Sequence, residues 1–326
     1  MTSSEPPVFI IGSPRSGTTV LTWCLGQHPN ILPVEETNWF APLALTLQSC
    51  FEIGTARGER SQLSAMCISR EELFRSIGTS VNDLIRRHRR IYEDVSKKLA
   101  NNGDTELSNL YRLSRNDSDP KQRWVDGTPE YSFSVYPLRK LFPGAKFIHI
   151  VRDLKSVVSS LMHFSNVAGF QIVKTESEAY EYWLRTVNAS IAAERAFGKD
   201  VVLRIRYSDL VQDPESTLRL CLNFLGESFH DDCLLPLKKK INSSKVPRSY
   251  EPSQVKAGVP TLRQALELDE ELARSRTTIF QGDLKLVDEL EAKFLDQVRY
   301  TAWAGRELNR RIKLERRTAA DKRGSL

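Results

Sequence analysis

Val8-Phe9-Ile10-Ile11-Gly12-Ser13-Pro14-Arg15-Ser16-Gly17-Thr18-Thr19-Val20-Leu21 is the stretch that decides the fold. Val8 to Ile11 is a short apolar run, rich in β-branched side chains, of the kind that forms a buried strand. Behind it, Gly12 and Gly17 frame a loop with the spacing G-x-x-x-x-G. Val20, Leu21, Cys24 and Leu25 then recur on one face of a helix, which His28-Pro29 stops. Glycines in such a loop let backbone N–H groups converge on an anion, and the helix N-terminus adds the positive end of its dipole. Ser16, Thr18 and Thr19 supply hydroxyl donors. The lysine that closes an ATP or GTP loop is absent, because Gly17 runs directly into Thr18-Thr19. Arg15 is the only basic group in the loop. The bland alternative is a strand–helix turn without a ligand, and the flanking strand and helix weigh against it.

The composition bounds what surrounds this motif. With 326 residues, 40% hydrophobic and 27% charged, the chain can bury a sizeable core without disulfides or metals. A net charge of +6 is a mild basic bias that suits an anionic ligand, and no nucleic-acid partner is expected. Part of that charge lies in Arg86 to Arg90 and in the tail from Arg306 to Arg323, both read as solvated helix faces. The five cysteines are odd in number and form no CxxC, so they read as reduced and structural, which points to a cytoplasmic protein. Met1 to Pro7 has no basic leader, and no apolar run reaches the length of a bilayer span.

Two further strands follow the pattern of the first. Lys146 to Val151 is β-branched and leads into a helix from Asp153 to His163, and Asp200 to Tyr207 is the next strand. Asp213-Pro214 is an N-cap with proline at the first helical position, Leu218, Leu222 and Leu225 form the buried stripe, and Gly226 ends the helix. Strands alternating with helices predict an α/β fold: a P-loop-type parallel sheet with helices on both faces. The expected organisation is one domain over 1–326. Its core covers about 7–40 and 124–260, with a helical covering insertion at 41–123 and a helical extension at 261–326. Ligands in such sheets sit at the carboxyl ends of the strands, where the loops after Ile11 and Val151 both open.

The motif Pro14-Arg15-Ser16-Gly17-Thr18-Thr19 after an apolar strand resembles the 5′-phosphosulfate loop of sulfotransferases, which use 3′-phosphoadenosine-5′-phosphosulfate (PAPS). His28-Pro29-Asn30-Ile31 followed by Glu35-Glu36-Thr37 is similar to the tyrosylprotein branch and to carbohydrate and bacterial members. The resemblance covers about residues 7–260. It implies that Arg15 contacts the transferring sulfonate, where many members carry lysine. Arginine keeps the charge as a planar fork. PAPS carries phosphates at both ends of its ribose, so a second anion site is implied. Ile148-His149-Ile150-Val151-Arg152-Asp153 supplies Arg152 at a strand end, with Ser159 or Ser160 two helical turns on. The family's spacing of eight residues selects Ser160. Arg-Asp at a helix start is otherwise a capping pair.

Ile205-Arg206-Tyr207-Ser208-Asp209-Leu210 resembles the family's Arg-Tyr-Glu-Asp-Leu segment, which places Tyr207 near the nucleotide, against the alternative of a tyrosine closing a strand into the core. The serine-rich basic segment Asn242 to Val259 corresponds to the loop over the 3′-phosphate, with Arg248 and Lys256 as its chosen contacts. The acceptor hydroxyl needs a base. His28 sits at a helix end and reads as a cap, whereas Glu36 follows the loop's helix where the chain returns past the donor. The family carries its base at this distance, so Glu36 is the candidate base and Glu35 its neighbour-competitor. No Cys/His or Asp/Glu cluster has metal-ligand spacing, and no metal is expected. Relatives usually carry lysine before Thr-Pro, where this chain has Gly127 in Trp124-Val125-Asp126-Gly127-Thr128-Pro129. Asp126 is a conceivable acceptor contact. The acceptor itself is a hydroxyl on a small molecule, glycan, lipid or peptide tyrosine. A P-loop kinase and a non-catalytic nucleotide binder are the competing readings.

Overall fold

The computed structural model describes residues 5–91, 94, 121–165, 169–238, 246–247, 252, 260–275 and 280–324. Its centre is a sheet of five parallel strands in the order β2-β3-β1-β4-β5. The strands are β1 (Val8–Ile11), β2 (Ile31–Val34), β3 (Arg123–Asp126), β4 (Lys146–Val151) and β5 (Val202–Arg206). Three of these are the strands expected from the sequence. β2 and β3 were not expected as strands: each has only four residues, β2 contains Pro33, and β3 begins with Arg123. Pro33 is tolerated because β2 is the edge of the sheet, where a missing N–H costs no ladder bond.

The helices are α1 (Thr18–Gly26), α2 (Phe40–Thr55), α3 (Gln62–Ala65), α4 (Arg70–Arg87), α5 (Val135–Leu141), α6 (Leu154–Met162), α7 (Glu176–Phe197), α8 (Tyr207–Gln212), α9 (Pro214–Leu225), α10 (Pro260–Arg274) and α11 (Leu284–Gly324). Alternation along β1 sorts them into two layers. Phe9 and Ile11 face a cluster with Trp124, Phe147, Phe40, Phe74, Leu141 and Phe294. Val8 and Ile10 face the opposite cluster, with Leu21, Cys24 and Leu25 of α1 and Leu218, Cys221 and Leu222 of α9. Both layers bury their apolar faces on the sheet, the arrangement that parallel strands require. Gly226 ends α9 in the left-handed conformation at φ 77°, as its position in the sequence predicts.

The segment from 41 to 123 departs from the expected covering insertion. In its described part, α2 and α4 bury Phe40, Ala44, Phe74 and Val81 in the core under the sheet. They form a structural layer because their apolar stripes match the aromatic face of β1 and β3. The extension after residue 260 is likewise more than a tail. Leu262, Ala265 and Leu272 of α10 pack with Val151, Leu154 and Trp183, beside the carboxyl end of β4.

Lys121 pins the entrance of β3. Its ammonium is buried and donates to the carbonyls of Gly26 (3.2 Å), His28 (3.1 Å) and Ile31 (2.9 Å). That cage holds together the end of α1, the following turn and the start of β2.

Helix α4 reaches its closest approach at Gly78, where an added Cβ would lie 1.7 Å from the Leu141 carbonyl oxygen. Gly305 in α11 has open space around the same position. Helix propensity alone favours alanine at both sites by up to about 1 kcal/mol. Gly305→Ala is therefore expected to stabilise the protein by up to about that amount. Gly78→Ala is expected to lose about 2 kcal/mol or more by overpacking, with urea denaturation as the measurement.

Candidate functional site

The loop after β1 is held by positions that a Cβ would spoil. At Gly12, φ is 145° and a Cβ would stand 2.5 Å from the Ile150 carbonyl oxygen. At Gly17, φ is 102° and a Cβ would stand 2.4 Å from the Tyr207 ring. Arg15 adopts φ 70°, so the arch between the glycines turns left-handed on a residue with a side chain. Its root is braced from the next segment: Gly12 N donates to Ser132 Oγ at 3.0 Å, and that hydroxyl lies 2.7 Å from the Pro129 carbonyl oxygen. Below the loop, the buried His149 ring meets Glu194 at 2.5 Å, and Arg204 lies 3.6 Å from the same carboxylate.

Four of the expected site residues meet at the loop. Arg15 Nε donates to Ser160 Oγ at 3.1 Å, and Arg152 donates to the Arg15 carbonyl oxygen at 3.1 Å. The Arg152 guanidinium lies 4.5 Å over the Tyr207 ring, and the Arg15 guanidinium 5.0 Å over Phe164. Ser159 instead returns its hydroxyl to the Lys155 carbonyl at 2.8 Å within α6, which separates it from Ser160. Burial and the nearby Arg152 charge hold the Arg15 guanidinium below its ordinary pKa, with Glu36 acting in the opposite sense.

This cradle contains polar atoms that are buried and unpartnered among the described residues: Ser16 Oγ, Thr128 Oγ1 and Arg152 Nε. Such groups cost stability unless a ligand or water satisfies them. All three can donate, and Ser16 and Arg152 stand just before the N-termini of α1 and α6, so the residues present fit an anion. A cavity of about 190 Å³ opens on the other side of Arg152, bounded by Ser156, Tyr207, Ser208 and Asp269. Asp269 accepts from the Leu154 N–H at 3.1 Å, so α10 caps α6 and closes this side. Nothing in the spacing of the sequence pointed to Asp269. Thr18 is buried and Thr19 exposed at the start of α1. Arg248 and Lys256 lie outside the described residues.

Glu36 is the carboxylate coupled electrostatically to Arg15. The residue is exposed, yet its carboxyl is partly shielded from water by its neighbours. Partial desolvation, then the carboxylates of Glu130 and Asp126, push its pKa up to about 7, while Arg15 pulls it down. Glu35 is exposed beside it. The turn that carries Glu36 is fastened to Asp126: Thr37 Oγ1 lies 2.6 Å from Asp126 Oδ2 and 2.6 Å from Tyr131 Oη. Thr128 N donates to the other Asp126 oxygen at 2.7 Å. Asp126 is fully buried with both oxygens engaged, so it is no acceptor contact; it positions the Glu36 turn. His28 is also structural, because its buried ring bonds the Ser228 carbonyl at 3.0 Å and the Asn30 N–H at 3.1 Å.

Glu130 is a site residue that the sequence reading missed. Tyr182 of α7 donates to it at 2.6 Å across 52 residues, a separation that no local pattern reveals. Gly127 also has a structural reason. A Cβ there would lie 2.4 Å from Thr22 Oγ1, so α1 occupies the space in which a side chain at this position would begin.

The family model described as "Sulfotransferase family" matches residues 6–231, which include the loop, Glu36, Arg152, Ser160 and Tyr207. The chain belongs to the sulfotransferase family. It is 24% identical over 230 residues to protein-tyrosine sulfotransferase 2 of Gallus gallus, covering 70% of this chain and 53% of that protein. It is 26% identical over 231 residues to the protein-tyrosine sulfotransferase of Drosophila melanogaster, covering 70% of this chain and 40% of that one. The chain thus spans about half the length of these relatives, or less. Among solved structures, it is similar to the sulfotransferase domain of the Synechococcus PCC 7002 olefin synthase. That likeness has 22% identity, a TM-score of 0.48, and covers 84% of this chain and 97% of that one. α10 and α11 follow the stretch matched to the family.

Ser132 is the brace on which the family loop stands in this chain. Ser132→Ala leaves the Gly12 N–H buried without its acceptor. We expect a loss of about 1–3 kcal/mol in urea denaturation.

Proposed function

We propose that this protein is an enzyme that transfers a sulfonate from PAPS to an acceptor hydroxyl. The observation that carries this is the position of Arg15, bonded to Ser160 on one side and electrostatically coupled to Glu36 on the other. A guanidinium placed there faces both an anionic donor and the base that deprotonates the acceptor. Bound PAPS supplies an activated sulfonate. The chain's own residues bind, orient and neutralise.

The backbone between Gly12 and Thr18, with Ser16, Thr18 and Thr19, holds the 5′-phosphosulfate at the N-terminus of α1. Arg152 and Ser160 take the 3′-phosphate, and the Tyr207 face bounds the nucleoside side of the cleft. Arg248 and Lys256 are the proposed closing contacts. Arg15 stabilises charge on the transferring group, a preorganised electrostatic term of the kind that dominates transfers with little covalent work for the protein. Glu36 accepts the proton as the acceptor oxygen attacks sulfur and the bond from sulfur to the leaving phosphate oxygen breaks. Metal ions take no part in this scheme. The relatives' names give protein tyrosine as their acceptor, and we extend to this chain the broader class of hydroxyl acceptors. All five cysteines are free thiols, which supports cytoplasmic residence as part of the same proposal. Among the described residues, no helix is long and apolar enough to cross a membrane.

The donor assignment is tested by calorimetry with adenosine 3′,5′-bisphosphate and ATP. The bisphosphate is expected to bind the tighter of the two. Arg152→Ala is expected to weaken it by about tenfold or more, because a charge-assisted contact present in the ground state is lost. Tighter binding of ATP sinks the assignment and favours a P-loop phosphotransferase.

The base is tested by pH. Glu36 works as the carboxylate, so kcat/KM should fall about tenfold per pH unit below a pKa of about 7 and level off above it. An anionic donor bound nearby raises that pKa further, so the limb in kcat should lie at higher pH than the limb in kcat/KM. Glu36→Gln should lower turnover by about 1000-fold or more while bisphosphate affinity stays nearly unchanged. Retained turnover rejects Glu36.

A further inference from the structure

The acceptor side of the cleft has a charge character of its own. Glu36 and Glu130 stand on two turns joined through Thr37, whose hydroxyl lies 2.6 Å from Asp126 and 2.6 Å from Tyr131, the neighbour of Glu130. The Glu130 carboxylate is also the first of the charges that push the Glu36 pKa up. Glu130 is half-buried and held at one oxygen by the Tyr182 hydroxyl at 2.6 Å. Tyr182 is itself half-buried on α7, so the carboxylate is held by a rigid helix rather than by a flexible partner. Its other oxygen has no partner among the described residues.

The remaining charges there do not cancel it. Asp126 is buried and spent on Thr37 and Thr128. Arg185, which also acts on Tyr182, is turned onto the Phe133 ring at 5.7 Å, and no ion pair joins it to Glu130 among the described residues. Arg15 is the cation that acts on Glu36, and its Nε is engaged by Ser160. In the proposed reaction the donor adds several negative charges on the far side of Arg15. An acceptor that carried an anion next to its hydroxyl would therefore meet carboxylates in front and donor charge behind.

We propose that Glu130, held by Tyr182, is a specificity-determining residue that makes the acceptor site reject hydroxyls borne by anions and favour those borne by cations. An exposed ring accompanies the Glu36 turn: Trp39, at 45% exposure, follows Glu36 by three residues. Trp39 lies against Phe40 with ring centroids 4.2 Å apart, so its orientation is fixed by the core. Flat apolar surface next to a carboxylate suits an aromatic ring with a basic substituent. A phenolic amine is the simplest compound of that chemistry. This inference rests on the reading of Glu36 as the mouth of the acceptor site, and deepens it.

The test is binding rather than turnover, so that it does not depend on Glu36 acting as the base. Tyramine and 4-hydroxyphenylacetate share the phenol and differ in the sign of the charge. Their affinities are measured by ligand-observed NMR with the protein saturated with adenosine 3′,5′-bisphosphate. The wild-type protein should prefer tyramine by about tenfold or more, the scale of one charge pair near a protein surface. Glu130→Gln should cut that preference about tenfold, and Tyr182→Phe should cut it by a smaller factor. Bisphosphate affinity in each variant reports that the fold is intact. Equal binding of the two phenols by the wild type, no binding of either, or an unchanged preference in Glu130→Gln overturns the proposal. Turnover retained by Glu36→Gln, with the binding preference intact, rejects the base and leaves Glu130 standing.

Discussion

The site depends on how closely two other strands approach the loop after β1. The Ile150 carbonyl occupies the space of a Gly12 Cβ, and the Tyr207 ring that of a Gly17 Cβ. With no side chain at either position, the carboxyl ends of β1, β4 and β5 draw together, and Arg15 is pressed onto Ser160 and the Arg152 contact. A side chain at Gly17 would meet both penalties at once, steric overlap and a positive φ. The convergence of donors that an anion needs is thus a packing result before it is an electrostatic one. Two guanidiniums side by side repel, and the lowered pKa of Arg15 records that cost together with burial. Such an arrangement is at rest only when negative charge is added, which is how a phosphate-binding cradle stores its affinity.

The acceptor side is organised by the opposite device, a buried carboxylate. Asp126 ends β3, and its two oxygens tie Thr37 to Thr128. Because Thr37 is next to Glu36, the candidate base is fixed to the sheet through one residue. Tyr131 completes the knot: its hydroxyl meets Thr37 at 2.6 Å and accepts from the Phe40 N–H at 3.1 Å, which links the base to the start of α2. The same segment, a few residues on, carries Glu130 and the Ser132 brace under Gly12. A single short stretch after β3 therefore sets both halves of the cleft.

Much of this was legible in the sequence where the signal is local. Glycine spacing after an apolar run marks the loop, the β-branched run before Arg152 marks β4, and Asp213-Pro214 with Gly226 bounds α9. The edge strand β2 was not legible, because four residues with a proline look like a turn until a neighbour pairs with them. β3 was hidden by its first residue: Arg123 is buried in the strand only because Glu5 at 2.7 Å and Glu227 at 3.2 Å compensate it from distant segments. The same holds for Asp126, which the sequence offered as an acceptor contact. Its burial is made possible by partners on both sides of the sheet, and Thr37 lies 89 residues away. Glu130 with Tyr182, and Asp269 with the Leu154 N–H, belong to this class of contacts between elements far apart in the chain.

Gly127 shows how one departure from a family pattern propagates. Thr22 Oγ1 and the Thr18 carbonyl sit where a side chain at 127 would begin, 2.4 and 3.4 Å from its Cβ. Thr22 in turn donates to Thr18 at 2.9 Å, so the first turn of α1 is packed directly against the end of β3. A side chain at 127 would have to displace the Thr22 hydroxyl from its bond to the Thr18 carbonyl, in the turn that carries the N–H groups of the cradle. Glycine lets the cradle sit deeper but leaves no cation on that side. The nearest charge available to a transferring group is then Arg15, whose left-handed backbone and contacts to Ser160 and Phe164 aim it across the cleft rather than along the loop. In the proposed transfer, that planar cation is the one placed to meet the transferring group. Arginine suits that place because its guanidinium keeps its charge and presents a planar fork that matches the oxygens of an anion.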